Sequence, residues 1–94
     1  MIKIVFTYNV APDKQAKYLI DTAEIIKPFW ESHGCTSYSV WQTDEGSPAF
    51  VKEMVFEDQK SREKASDDPS AKEVVGLFSK YATNVKRRMY LQCV

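Results

Sequence analysis

The chain has 94 residues, room for one domain and one hydrophobic core, and at this length only about two thirds of the unfolded surface is buried on folding. Lysine plus arginine and aspartate plus glutamate each total 13, so no net field attracts nucleic acid or an anionic bilayer, and partners of those classes are not expected. No apolar run approaches the roughly 20 residues of a membrane span, and residues 1–10 lack a basic leader and a cleavage site, so a cytoplasmic protein is expected.

Ile2, Ile4, Phe6, Tyr8 and Val10 alternate with Lys3, Thr7 and Asn9, the period of two that marks a half-buried strand. Ala11-Pro12-Asp13 breaks it. Over residues 13–33 the apolar positions Ala16, Leu19, Ile20, Ala23, Ile26 and Trp30 recur at helical spacing, with lysines and acids between them. Pro28 removes one backbone donor inside that helix and should kink or loosen its last turn, and Gly34 suits the left-handed position after it. Residues 35–43 and 49–57 are rich in β-branched and aromatic side chains and flank the turn residues 44–48, so they should pair as a hairpin. Residues 58–66 read as a charged, weakly amphipathic helical turn. Asp68 then supplies an N-cap and Pro69 a first helical position for a helix whose stripe is Val74, Leu77, Phe78 and Tyr81, widened by Val75 and Ala82. Residues 85–94 return to strand character. No repeat or linker interrupts the chain, so residues 1–94 are expected to form one domain.

The order strand, helix, strand, strand, helix, strand is the split βαβ motif, an α+β ferredoxin-like βαββαβ fold with a four-stranded antiparallel sheet and both helices on one face. One parity of the strands carries Ile4, Phe6, Tyr38, Phe50, Met54 and Phe56, and we assign Val5, Trp41, Val51, Val55, Met89 and Leu91 to the other. A second face this apolar predicts a homodimer joined through the sheet. A monomer with scattered exposed apolar residues is the plainer alternative.

The run Gly34-Cys35-Thr36-Ser37-Tyr38-Ser39-Val40-Trp41, followed by a short turn, Phe50-Val51 and Phe56-Glu57-Asp58 before a helix, resembles the dimeric α+β barrel superfamily, and within it the antibiotic biosynthesis monooxygenase-like domains. The resemblance implies a homodimer whose sheets form a barrel, with a pocket between sheet and helices in each subunit. It also implies either dioxygen chemistry on a small phenolic, quinol-like or polyketide-like compound without metal, flavin or other cofactor, or a non-catalytic module that binds a small apolar ligand or supports an assembly. This chain departs from the pattern where members carry an acid two residues before the strand-end aromatic, here Met54, and where they carry a histidine in the next helix, here Ala65. The tryptophan and histidine of haem-degrading members have no counterpart in its second half.

Within that frame His33, the single histidine, is the candidate proton shuttle, and Tyr38 a candidate proton-handling or orienting group. Asn9, at the end of the first strand, is a candidate amide donor to a developing oxyanion. Tyr8, Trp30, Phe56, Phe78 and Tyr81 are candidate walls of an aromatic pocket. Each also has a structural reading: a helix-end histidine bonded to a carbonyl, a turn asparagine, and core packing for the rings. Lys86-Arg87-Arg88 could clamp an anion or simply open an exposed strand. Cys35 and Cys93 form no CxxC pair and read as reduced packing residues, and one histidine with dispersed carboxylates offers no metal-ligand spacing.

Overall fold

The computed structural model describes residues 1–45 and 49–94, so residues 46–48 of the expected hairpin turn lie outside the described residues. Strand β1 spans Ile2–Val10, and a helical stretch follows: a 3₁₀ turn Pro12–Lys14, α1 Gln15–Asp21, a π-helical segment Thr22–Ile26 and α2 Lys27–Ser32. Then come β2 Cys35–Gln42, β3 Ala49–Phe56, α3 Gln59–Ser66, α4 Ala71–Tyr81 and β4 Ala82–Leu91. The strands form one antiparallel sheet in the order β2-β3-β1-β4, the ferredoxin-like α+β arrangement that the order of elements predicts. No helix among the described residues is long and apolar enough to cross a membrane.

The alternation in β1 does what the period of two requires: Ile2, Ile4, Tyr8 and Val10 are buried beneath the helices. Their partners across the ladder on β3, Phe56, Met54 and Phe50, are buried on the same face. The helical stretch meets that face along a different line from the one expected. Its buried residues are Tyr18, Thr22, Ile26 and Trp30, whereas Leu19 and Ile20 are 46% and 54% exposed. The aromatic residues decide this: burying Tyr18 and Trp30 removes more surface from water than burying the aliphatic pair, and the Tyr18 hydroxyl finds a partner in Tyr8. The wide turns of the π segment keep the four-residue steps in line, with the Lys27 N–H reaching back to the Thr22 carbonyl. Pro28 follows directly and has no N–H for the Glu24 carbonyl, so the widened turn sits where regular helix bonding would fail.

Further boundaries differ from expectation. Asp68 does not cap α4: its carboxylate accepts from the Ser70 N–H at 2.8 Å and its carbonyl from Ala71 at 2.9 Å, closing a turn before the helix begins at Ala71. Asp58 instead caps α3, accepting from the Ser61 N–H at 2.7 Å. β4 begins at Ala82 rather than residue 85, directly from α4.

The assignment of Met89 and Leu91 to the open face is corrected by the register. Asn9 pairs with Thr83 but Thr7 with Lys86, so β4 carries one residue more than β1 there, with Asn84 at φ 53°. Below this bulge Phe6 faces Arg87, Ile4 faces Met89 and Ile2 faces Leu91. These three β4 residues therefore lie on the helix side, and Met89 packs against the core. Face assignment in a strand depends on register with its neighbour, which periodicity alone does not supply. Val5, Trp41, Val51 and Val55 keep their places on the open face, joined by Tyr90 and by an ion pair between Lys3 and Glu53 at 3.5 Å.

Candidate functional site

The helices do not close completely on the sheet. Between β1, β3 and β4 on one side and α3 and α4 on the other lies a cleft of about 150 Å³. Phe6, Met54 and Phe56 form its floor, Trp30 from α2 and Val74 and Phe78 from α4 its walls. Into it comes the amine of Lys52.

Lys52 occupies the inward parity of β3, between Phe50 and Met54, so strand geometry sends its side chain toward the helices. It is 4% exposed. Its Nζ stands 3.4 Å from the centre of the Phe78 ring, 4.2 Å from that of Phe6 and 5.8 Å from that of Tyr38. Burial disfavours the charged form and pulls the amine from the ordinary lysine value of 10.5 down to about 7. The ring faces favour the ammonium, but such an attraction, on the order of 2 kcal/mol when desolvated, is smaller than the burial effect. Near neutrality the group therefore both accepts and holds a proton.

Arg62 from α3 and Arg87 from β4 reach the same cleft. Arg62 donates through Nε to Gln59 at 3.3 Å. Among the described residues no carboxylate is ion-paired with Lys52, Arg62 or Arg87, and no acidic side chain lines the cleft. A cleft with apolar walls and unneutralised cations is complementary to a flat molecule carrying negative charge.

Of the residues proposed from sequence as pocket walls, the structure brings Trp30, Phe56 and Phe78 into this cleft. Tyr8 and Tyr81 stand behind it. Tyr8 stacks on Phe50 with ring centres 6.0 Å apart and meets Phe78 edge-on at 4.9 Å, and its hydroxyl is hydrogen-bonded to that of Tyr18. Burial holds both phenols well above the usual tyrosine range. Tyr81 donates its hydroxyl to Asp21 Oδ2 at 2.5 Å, and that bond, more than burial, raises its pKa. Tyr38 is fully buried behind Lys52; burial raises its phenol too, and its hydroxyl has no partner among the described residues.

The other two candidates lie elsewhere. Asn9 sits in β1 between Ala49 and Thr83 and borders a separate shallow depression with Thr43 and Lys86; its carbonyl accepts from the Thr83 hydroxyl at 3.4 Å. His33 closes α2. Its ring stacks on Phe29 at 4.1 Å, Nδ1 donates to the Phe29 carbonyl at 2.7 Å, and Nε2 is 3.3 Å from Asp68 Oδ2. The Ser32 hydroxyl, 3.0 Å from Nδ1, gives the look of a Ser-His-Asp triad. Chemically it is not one: Ser32 also donates to the Phe29 carbonyl, at 2.8 Å, and with the Nδ1 proton directed at that same carbonyl the ring has no lone pair to activate Ser32. His33 and Asp68 border an open polar depression of about 410 Å³ with Ser61 and Lys64 and do not reach the cleft.

Sequence reasoning missed Lys52 and Arg62, and named Arg87 only within the basic run Lys86-Arg87-Arg88 as a possible anion clamp. The signal for Lys52 is present in the chain: a lysine at the centre of Phe50, Lys52, Met54, Phe56 stands on a strand's apolar parity, where a charge is costly unless it has a use. Arg87 reads from sequence only as part of a basic run, because its side of the sheet follows from the β4 bulge.

No family model matches the chain, and no curated protein matches it. Solved structures do. A candidate antibiotic biosynthesis monooxygenase from Deinococcus radiodurans superposes with a TM-score of 0.82 at 14% identity, covering 100% of this chain and 94% of that one. SnoaB from Streptomyces nogalater, a cofactor-independent oxygenase solved as a mutant, gives 0.79 at 14% identity, with coverages of 99% and 93%. HapK from Hahella chejuensis gives 0.85 at 11% identity, with coverages of 98% and 92%. At such identities the likeness is one of fold. Element order, sheet topology and these superpositions agree that this chain has the ferredoxin-like α+β fold that those structures share.

Proposed function

We propose that this protein is a cofactor-independent monooxygenase-like enzyme that oxidises a small phenol or quinol in the cleft beneath α3 and α4, working as a homodimer joined through the open sheet face. The observation that carries the reading is the Lys52 amine, buried between Phe6 and Phe78 with no acid among the described residues paired to it. A phenol entering the cleft gives its proton to the neutral amine, and the resulting ammonium holds the phenolate in a medium where the pair attracts strongly. The electron-rich ring then reduces dioxygen. Oxygen bonds to a ring carbon, the peroxide loses water, and hydroquinone plus dioxygen becomes hydroxybenzoquinone plus water, with all electrons supplied by the substrate. Trp30, Phe56 and Phe78 hold the ring, and Tyr38 backs the amine.

A cavity of about 150 Å³ suits one ring, since apolar cavities of that size bind benzene, and is smaller than the roughly 300 Å³ of ordinary ligand pockets. A single-ring substrate is therefore favoured over a fused polyketide. The same small volume supports the second reading, a non-catalytic dimeric module for a small apolar ligand. One assay separates them: oxygen uptake and product analysis with hydroquinone, against the protein-free background. The enzyme reading expects turnover that falls at least about tenfold in Lys52→Met. Binding of the ring without oxygen uptake would establish the module.

A further inference from the structure

We propose that Lys52 has a second reactivity, the covalent capture of a small aromatic aldehyde or ketone as an imine in the sheet–helix cleft. The inference rests on the geometry of the cleft and is independent of the oxygenase reading.

An amine attacks a carbonyl only with its lone pair free. Exposed lysines near neutrality are almost wholly protonated and hydrated, and lysines that form imines are set apart by desolvation in an apolar pocket or by cationic neighbours. Lys52 has both features. Phe6 and Phe78 flank Nζ, no carboxylate among the described residues holds a proton on it, and Arg62 and Arg87 share its cleft. The lowered pKa agrees with this environment. Beside the amine lies space for one ring, so an aryl carbonyl has somewhere to sit while it reacts.

The chemistry closes without a further reagent. The Nζ lone pair attacks the carbonyl carbon and the C=O π pair moves to oxygen, which takes up the proton lost from nitrogen. The hydroxyl, protonated by solvent at the cleft mouth, then leaves as water while nitrogen forms the C=N bond and returns its remaining proton to solvent. One amine and one carbonyl give one imine and one water. Apolar walls favour the dehydrated product, and the two guanidinium groups favour a carbonyl compound that also carries a carboxylate.

The test is reductive trapping. The protein is incubated at about pH 7 under nitrogen with 4-carboxybenzaldehyde and cyanoborohydride, and adducts are located by intact mass and peptide mapping. We expect a single early adduct at Lys52, formed at least about tenfold faster than adducts at exposed lysines such as Lys14 and Lys72. Lys52→Met should lose this adduct and keep the slow surface labelling; should that variant unfold, the site map of the wild type decides. Benzaldehyde should label Lys52 more slowly than its carboxylate analogue, and equal rates would remove the role given to Arg62 and Arg87. Labelling spread over surface lysines with Lys52 no faster would overturn the proposal. Because oxygen is absent, failure here leaves the hydroquinone result standing, and failure there leaves this one.

Discussion

The Lys52 nitrogen lies 3.4 Å from the centre of the Phe78 ring, so a strand residue and a helix residue meet through an amine against a π face inside the cleft. The contact compensates only part of what burial costs the ammonium. It leaves the amine a buried group whose charged form is disfavoured.

Replacing Lys52 by methionine should therefore stabilise the protein, by roughly 1–3 kcal/mol at neutral pH, since an apolar chain of similar length fills the same space. The sign with pH follows from the lowered value. Between about 7 and 10.5 the unfolded lysine binds a proton that the folded one does not, so wild-type stability rises with pH across this window. Below about 7 both states are protonated and the deficit relative to Lys52→Met is constant and largest. Urea melts of both proteins across this range should show the gap closing as pH rises; a gap independent of pH would contradict the buried, proton-poor amine.

The Tyr8–Tyr18 hydroxyl pair invites a cycle of substitutions. Tyr8→Phe alone leaves the Tyr18 hydroxyl without that partner and should cost about 1–3 kcal/mol. Tyr18→Phe should cost a similar amount, while the double substitution should recover much of the loss, because a ring pair without hydroxyls leaves nothing unpaired. Additive losses in urea denaturation would show that the two hydroxyls do not depend on each other.

His33 and Asp68 join the end of α2 to the turn before α4 at a partly exposed site. Asp68→Asn should lower stability by no more than about 1 kcal/mol, and less in high salt. Since His33 lies outside the cleft, His33→Ala should leave hydroquinone turnover within about twofold of wild type. A loss of turnover comparable to that of Lys52→Met would restore the histidine as the proton shuttle.

On the open sheet face Trp41, 60% exposed, stands across from Val51, with Val5 and Val55 nearby. Light scattering should give about twice the 10.8 kDa of one chain, and Val51→Glu, which places an unpaired acid at the centre of the patch, should return the mass to one chain. A wild-type mass that stays at one chain would remove the dimer.

Much of the fold was legible because β1 carries an apolar residue at every even position from Ile2 to Val10 and because the turn residues 44–48 separate two stretches rich in β-branched and aromatic side chains, β2 and β3. The helix line was not, because Leu19 and Ile20 resemble a buried pair as well as Tyr18 does until the partner hydroxyl on Tyr8 is known. At the site, the aromatic walls Trp30, Phe56 and Phe78 stood out by residue type. The cations did not: Lys52 has to be read against the parity of its strand, and Arg87 against the register of a neighbouring strand, and both are relations between segments.

The extra residue at Asn84 has a genetic corollary. Were the Asn9–Thr83 pairing continued with every residue kept and no bulge, Arg88 would stand opposite Ile4 and Tyr90 opposite Ile2, while Met89 and Arg87 would turn outward. Loss of the Asn84 codon removes the surplus residue together with the bulge, so Lys86 stays opposite Thr7, Met89 stays opposite Ile4, and Arg87 keeps its place at the cleft. A point substitution at the same exposed position costs only the strain of a left-handed backbone, about 1–2 kcal/mol.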